Sequence, residues 1–537
     1  MDHSVWQQPS RGQHLRRLSP QQQAVVMTHG DLLVNACAGS GKTTTLISYA
    51  AQKTAEAPAG KQPRMLYLAF NRSVRLEAQQ RFAQAGLSKV DVHTAHSLAY
   101  KHTFRQGGYT LMSGNDLKVN DIIDACGLMR GNTAKMALSL ATHVKKLLSM
   151  FCNDSAQSIY EIDYPTRSLG EEKPVREFIA RHTNKITAVA VDIFSRMQQR
   201  TMAITHDFYL KQFQLNNPKL SYDYILFDEG QDASGSMLAV FFAQKATKVI
   251  VGDDAQQIYG FRYAVNSLAI AGDHHGFPTL HLTSSFRFDE AIADLANAAL
   301  NWKKCYRPGY KHPSITGVAT HQPPADGLTT DVVIGRTNIS ILADTIDSLC
   351  VKQQIGSVYY EGRFESYTYM DSGGSLMDIY HLNKGMLGQV RSPFIRQMSN
   401  INGLKEYIGA TGESSMKLAL QIIDTYQDDL PGYIDQIRAA HMPDNQRTFA
   451  DRIYTTVHRA KGLEYDSVRL ADDFIDLGRV LKAAEKLDRH DPAYAHKVNA
   501  MNEEINMLYV AVTRSKSKLS IPTGLSLKPD TKKINNR

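Results

Sequence analysis

The sequence predicts an α/β protein of two parallel-sheet domains, each carrying an inserted subdomain. Three observations lead there. Short apolar runs, each closed by turn residues and followed by a helical pattern, recur along the chain, as in layered α/β folds. The 537 residues exceed what a single hydrophobic core serves, normally about 250–300 residues. Two stretches, near 105–195 and near 352–447, break the alternation.

In the first half the strand runs are Leu32-Leu33-Val34, Met65-Leu66-Tyr67-Leu68, Tyr224-Ile225-Leu226-Phe227 and Val249-Ile250-Val251. In the second half they are Val332-Val333-Ile334, Ser467-Val468-Arg469-Leu470 and Lys518-Leu519-Ser520-Ile521. Continuous apolar runs suit parallel strands buried on both faces. The stretch near 105–195 reads as mostly helical, as over Thr133 to Leu148. The stretch near 352–447 is mixed, with Tyr359, Tyr360, Phe364, Tyr367 and Tyr369. The expected division is 1–104 with 196–284 for the first domain and 105–195 for its helical insertion. The second domain is 285–351 with 448–537, and 352–447 is a short accessory insertion. The segment from Arg307 to Gly327 reads as a loop.

Hydrophobic content of 43% and charged content of 21% are those of a globular protein. No apolar run is long enough to cross a bilayer, and no secretory signal is expected from the first residues. The five cysteines lack metal-knuckle spacing, so a reduced, cytoplasmic setting is expected. The 19 histidines include close pairs, but none has a partner at ligand spacing. A formal net charge of +8, spread along the chain, is compatible with a polyanionic partner.

Three segments carry chemistry. The first is Ala36-Cys37-Ala38-Gly39-Ser40-Gly41-Lys42-Thr43-Thr44, between a strand and a helix, the context that a phosphate-binding loop requires. Gly39 and Gly41 let backbone N–H groups of the Ala38–Thr44 loop close on phosphate oxygens. Lys42 suits the β/γ-phosphates of ATP, and the Thr43 hydroxyl suits Mg²⁺. Ala36 stands in place of the first Gly of the generic pattern. The second is Tyr224-Ile225-Leu226-Phe227-Asp228-Glu229-Gly230-Gln231-Asp232, a strand delivering two carboxylates at its C-terminal end. Asp228 suits Mg²⁺ and Glu229 suits the attacking water. The third is Val251-Gly252-Asp253-Asp254-Ala255-Gln256-Gln257-Ile258-Tyr259-Gly260-Phe261-Arg262. Tyr259 and Phe261 beside Arg262 suit stacking of unpaired bases and a grip on phosphate.

Together these segments resemble the ATPase motifs of UvrD-like superfamily 1 helicases, and further segments follow in that family's order from residue 18 to residue 514. Leu18-Ser19-Pro20-Gln21-Gln22 resembles the adenine-reading segment, with Gln22 as reader. Phe70-Asn71 and Thr94-Ala95-His96-Ser97 resemble two single-strand-contacting segments. Leu282-Thr283-Ser284-Ser285-Phe286-Arg287 resembles the segment that places an aromatic, Phe286, on adenine and an arginine, Arg287, on the γ-phosphate. Gly335-Arg336-Thr337-Asn338 follows. Thr456-Val457-His458-Arg459-Ala460-Lys461-Gly462-Leu463-Glu464-Tyr465 matches the fifth motif, with Thr456 and His458 on DNA and Glu464 on the nucleotide. Asn506-Met507-Leu508-Tyr509-Val510-Ala511-Val512-Thr513-Arg514 matches the sixth, with Arg514 as arginine finger. His206-Asp207-Phe208-Tyr209-Leu210-Lys211 narrows the resemblance to the helicase part of F-box DNA helicases and their bacterial or viral relatives. Two departures stand beside functional positions. Gly230 replaces the usual Ala, and Tyr263 replaces the usual Gly.

The resemblance implies two RecA-like motor domains with ATP and Mg²⁺ between them. Lys42, Glu229, Gln256, Arg287 and Arg514 would carry hydrolysis. It implies 3′-to-5′ movement on single-stranded DNA, unwinding of duplex, and work in repair, recombination or replication. Single strands and single/double-strand junctions are the expected partners, with a monomeric or weakly self-associating chain and no membrane. Because the first motif opens at Leu18, no F-box is expected and no ubiquitin-ligase partner is implied. The alternatives are a translocase that strips proteins from single strands with little unwinding, and a P-loop module that switches without moving. A helicase–nuclease fusion is not expected, since so little chain follows Arg514.

Overall fold

The computed structural model describes residues 18–58, 60–112, 114, 117–260, 266–320, 330–362, 364–367, 375–525 and 527. Its frame is two parallel sheets. The first is built from β1 (Leu32–Ala36), β2 (Met65–Ala69), β3 (Asp91–Thr94), β4 (Tyr224–Phe227), β5 (Thr247–Gly252) and β6 (Thr279–Leu282). Their order across the sheet is β3-β2-β4-β5-β1-β6, and every neighbouring pair is parallel. A short parallel ladder of β7 (Ser284–Ser285) and β8 (Thr316–Gly317) follows. The second sheet is built from β9 (Asp331–Gly335), β10 (Val358–Tyr360), β11 (Arg452–Thr456), β12 (Tyr465–Leu470) and β13 (Ser515–Ser520). Its order is β10-β11-β9-β12-β13, again parallel throughout.

Side-chain alternation explains why these runs are buried on both faces. In the first sheet Leu33, Leu66, Leu68, Ile225, Phe227 and Ile250 face one hydrophobic core. Leu32, Val34, Met65, Tyr67, Leu226, Val249 and Val251 face another. The second sheet divides in the same way. Val333, Tyr360 and Tyr454 join the first core, while Val332, Ile334, Ile453, Val468 and Leu470 join a third.

Two helical stretches leave this frame. Between β3 and β4 run the helices Val119–Cys126, Ala134–Asn153 and Lys173–Gln198, the last extending past the expected limit at residue 195. Between β10 and β11 run Leu376–Asn383, Ile401–Thr411, Ser414–Tyr426 and Leu430–Ala440. One reading is corrected here: β10 lies inside the 352–447 stretch assigned to the accessory insertion, yet it pairs with β11 in the second sheet. Its Val-Tyr-Tyr run is buried on both faces, which a parallel edge strand allows. The loop expected from Arg307 to Gly327 contains β8, and residues 321–327 lie outside the described part.

Candidate functional site

The Ala38–Thr44 loop leaves β1 and opens the helix Lys42–Glu56. Gly39 and Gly41 take φ of +75° and +77°, the left-handed region that glycine alone enters without strain. Space demands glycine as well. A Cβ on Gly39 would meet Ser285 Oγ at 2.5 Å and Arg287 Cβ at 2.6 Å, and one on Gly41 would meet Gln22 Nε2 at 2.8 Å. No side chain caps the first turn of the helix, so its backbone donors face the loop as an anion cradle.

Opposite the loop, β4 delivers Asp228 and Glu229. Glu229 holds a left-handed backbone, φ 52° and ψ 42°, a strained conformation typical of functional positions. Lys42 Nζ lies 3.2 Å from Glu229 Oε1. Burial disfavours charge on Lys42, but Glu229, Asp253 and Asp228 outweigh it and raise its pKa. Burial likewise opposes ionisation of Glu229, yet Lys42 and then Lys461 hold its carboxyl well below the usual range. Asp228 moves the other way, pushed up by burial and by Glu229. It accepts hydrogen bonds from Thr43 Oγ1 at 2.9 Å and from the Tyr67 hydroxyl. Two hard oxygen donors side by side at the phosphate loop fit Mg²⁺. Gln231 donates to Glu229 Oε2 at 2.6 Å and accepts from the backbone N–H of Asp253 at 3.0 Å, tying β4 to β5.

The residues expected to face the nucleotide come from both halves of the chain. Gln22 donates to the Ser40 carbonyl at 3.1 Å. Its neighbour Gln21 holds Thr283 by two hydrogen bonds of 2.9 Å. Thr44 accepts from Arg81 at 2.7 Å. Phe286 is 49% exposed, and its backbone N–H donates to the Gly39 carbonyl. Arg287 pairs with Glu464 at 2.7 Å and donates to the Thr513 carbonyl. Arg514 is only 1% exposed and donates to the Val510 and Leu463 carbonyls and to Thr513 Oγ1. Burial, then the neighbouring Arg287 charge, lowers its pKa to about 9. Gln256 is turned onto Asp253, 2.7 Å away.

A second cluster gathers beside the first. Phe70, after β2, stacks on Tyr259 with centroids 5.6 Å apart. The Tyr259 hydroxyl donates to the His458 carbonyl at 3.0 Å, and the His458 ring bonds the Ile258 carbonyl. Asn71 and Thr94 cap the helices Arg72–Gln84 and Ala95–Ala99. His96 pairs with Asp207 at 3.2 Å. Thr456 is buried at the end of β11. Phe261, Arg262 and Tyr263 lie outside the described residues.

Two family models match separate parts of the chain. Residues 18–274 match the UvrD/REP helicase N-terminal domain, and residues 414–524 match the UvrD-like helicase C-terminal domain. The chain belongs to the UvrD-like helicase family. It is similar to F-box DNA helicase 1 of Gallus gallus, 27% identical over 92% of this chain and 47% of that protein. It is similar to F-box DNA helicase protein 1 of Schizosaccharomyces pombe, 26% identical over 96% of this chain and 58% of that one. ATP-dependent DNA helicase PcrA of Leuconostoc citreum is 26% identical over 52% of this chain and 38% of its own length. The chain thus spans about half the length of the curated F-box relatives it matches.

This UvrD-like chain joins its halves through residues that the sequence did not single out. Tyr509, on the helix Tyr494–Val512, accepts from the backbone N–H of Ala38 at 3.1 Å and donates to Asp253 Oδ2 at 2.9 Å. Lys461 pairs with buried Asp232 at 2.5 Å, donates to the Gln256 carbonyl at 2.7 Å, and lies 4.8 Å from the Tyr259 ring centre. Burial pushes Asp232 up to about 6, against the pull of Lys461. Lys461 lies in the fifth motif and Tyr509 in the sixth, so the available signal is a polar or aromatic residue within a motif. Gly230 also finds its reason. A Cβ there would meet Ile250 Cγ1 at 2.5 Å, so the isoleucine fills the space that an alanine would need.

Proposed function

We propose that this protein is an ATP-driven motor that moves 3′ to 5′ along single-stranded DNA and unwinds duplex ahead of it. The observation that carries the reading is Lys461. One ammonium group from the second domain touches the aromatic cluster at Tyr259 and the acidic segment that ends at Asp232. A change in the stacking at Phe70 and Tyr259 therefore reaches Glu229 through Asp232 and Gln231, which lie in direct contact.

In this reading Lys42 exchanges Glu229 for the β/γ-phosphates of ATP. Glu229, released and ionised, accepts the proton of the attacking water. Arg287 and Arg514 neutralise charge on the transferring phosphoryl group, an effect worth about 10³–10⁵ in rate for a positioned arginine. Thr43 and Asp228 would hold Mg²⁺, which supplies charge neutralisation. Phe286 and Gln22 take the adenine, and Glu464 leaves Arg287 for the nucleotide. Phe70, Tyr259 and His458 hold the strand, and repeated closing of the cleft advances it.

Strand displacement on partial duplexes tests this reading. Substrates with a 3′ single-stranded tail should be unwound and those with a 5′ tail should not. Unwinding only from 5′ tails refutes the polarity. Efficient release of a protein block from a single strand, with no strand displacement, favours the stripping translocase instead.

A further inference from the structure

Thr94 and His96 are among the residues expected on the single strand, but Tyr100 to Arg105 beyond them and the segment His206 to Lys211 behind them have no role in the motor. In the first sheet Ala69 is in register with Thr94, so the ends of β2 and β3 lie side by side, about 4.8 Å apart. Phe70 and His96 therefore leave the same edge of the sheet. The helix Ala95–Ala99 continues into a π-helical turn, Tyr100–Phe104, a rare form that often marks functional sites. Tyr100 stacks on Phe104 with centroids 4.7 Å apart and planes 22° apart. Tyr209 backs the row, 6.0 Å from His96, 5.9 Å from Tyr100 and 6.1 Å from Phe104. His206 Nδ1 holds the Tyr209 hydroxyl at 2.8 Å, and Asp207 holds His96. Tyr100 is 38% exposed. Lys101, His102 and Arg105 beside it are exposed as well, and among the described residues neither Lys101 nor Arg105 has a carboxylate partner within ion-pair distance.

We infer that this row is a second single-strand platform, which carries the DNA from the Phe70–Tyr259 stack across His96 and onto Tyr100. The inference rests on the single-strand reading above. Unpaired bases stack on Tyr100, and Lys101 and Arg105 hold the adjacent phosphates, the pairing of aromatic and cation that non-sequence-specific strand binders use. The segment His206 to Tyr209 sets the row in place from behind.

Binding of oligo-dT of graded length to the full chain tests this, with no nucleotide present and melting temperature followed in parallel. For wild type, affinity should rise as the oligomer grows from about 4 to about 12 nucleotides, within the usual range of strand footprints. Tyr100→Ala should weaken the longer oligomer about tenfold, the scale of one lost base stack, and leave the shorter one unchanged. Tyr100→Trp should restore the longer one. Lys101→Glu with Arg105→Glu should give the same length-dependent loss with a flatter salt dependence. Phe70→Ala should weaken both lengths. If Tyr100→Ala and the double charge reversal bind all lengths as wild type does, the platform is refuted and the motor reading stands. Equal loss at both lengths with a fall in melting temperature makes the row structural and also refutes it. No binding of any oligomer by wild type refutes the motor reading itself.

Discussion

At the scale of single residues, the site is a set of opposed charges held in a strained frame. Lys42 and Glu229 neutralise each other across 3.2 Å. Lys42→Ala should reduce ATP turnover to background, because it removes the cation of the phosphate loop. Glu229→Gln should keep nucleotide binding and lower turnover by about 10²–10⁴, the usual contribution of a positioned base. Nucleotide titration beside steady-state hydrolysis checks both, and a pure affinity loss in Glu229→Gln contradicts the assignment. Gly230→Ala pushes a methyl group against Ile250. It should cost about 1–3 kcal/mol by overpacking, and Ile250→Val should relieve part of that loss in the double variant. Urea unfolding measures it, and equal losses with and without Ile250→Val contradict the packing account.

At the scale of elements, the helix Tyr494–Val512 is the clasp between the two sheets. Its Tyr509 hydroxyl bridges Ala38 and Asp253, and its Asn506 donates to the Asp254 and Gln257 carbonyls while accepting from Lys303. Tyr509→Phe should keep the packing of the ring and remove both hydrogen bonds. Turnover should fall with little change in melting temperature, by about 10- to 100-fold if one hydrogen bond to a charged group, about 1.5–3 kcal/mol, is lost from the reacting geometry. Unchanged kcat in this variant removes the clasp. The elements also show what the sequence could reveal. The apolar runs read as strands are strands, the last of them shifted to Ser515–Ser520, and the interior ones stand out because parallel strands buried on both faces have few polar positions. The strands that escaped notice are mostly edges. β3, β6 and β10 close their sheets, and Asp91-Val92-His93-Thr94 and Thr279-Leu280-His281-Leu282 alternate polar with apolar residues because one side is left open. β11 is interior, but its run ends in two threonines and overlaps the matched fifth motif only at Thr456.

At the scale of the whole molecule, two parallel sheets meet where Tyr509, on the helix leading into β13, reaches the loop after β1, with Arg287 packed beside Gly39. The motifs named the sheet-end residues because a fixed spacing ties each to its strand. They did not name Tyr509 or Lys461 as partners of Ala38 and Asp232, because those contacts join residues hundreds of positions apart and arise only once the halves close. The accessory helix Ile401–Thr411 docks on Ala134–Asn153 through a hydrogen bond between the Thr142 and Tyr407 hydroxyls and one from Lys146 to the Thr411 carbonyl, so the insertions also bridge the halves.

Closure of the cleft is where fuel and strand would be coupled, and ATP hydrolysis with and without single-stranded DNA tests that most directly. The full chain should hydrolyse ATP slowly alone and much faster when oligo-dT is added, with Glu229→Gln inactive in both conditions. Rapid hydrolysis that does not respond to DNA would contradict the coupling through Lys461 and reduce the protein to an ATPase that does not act on a strand.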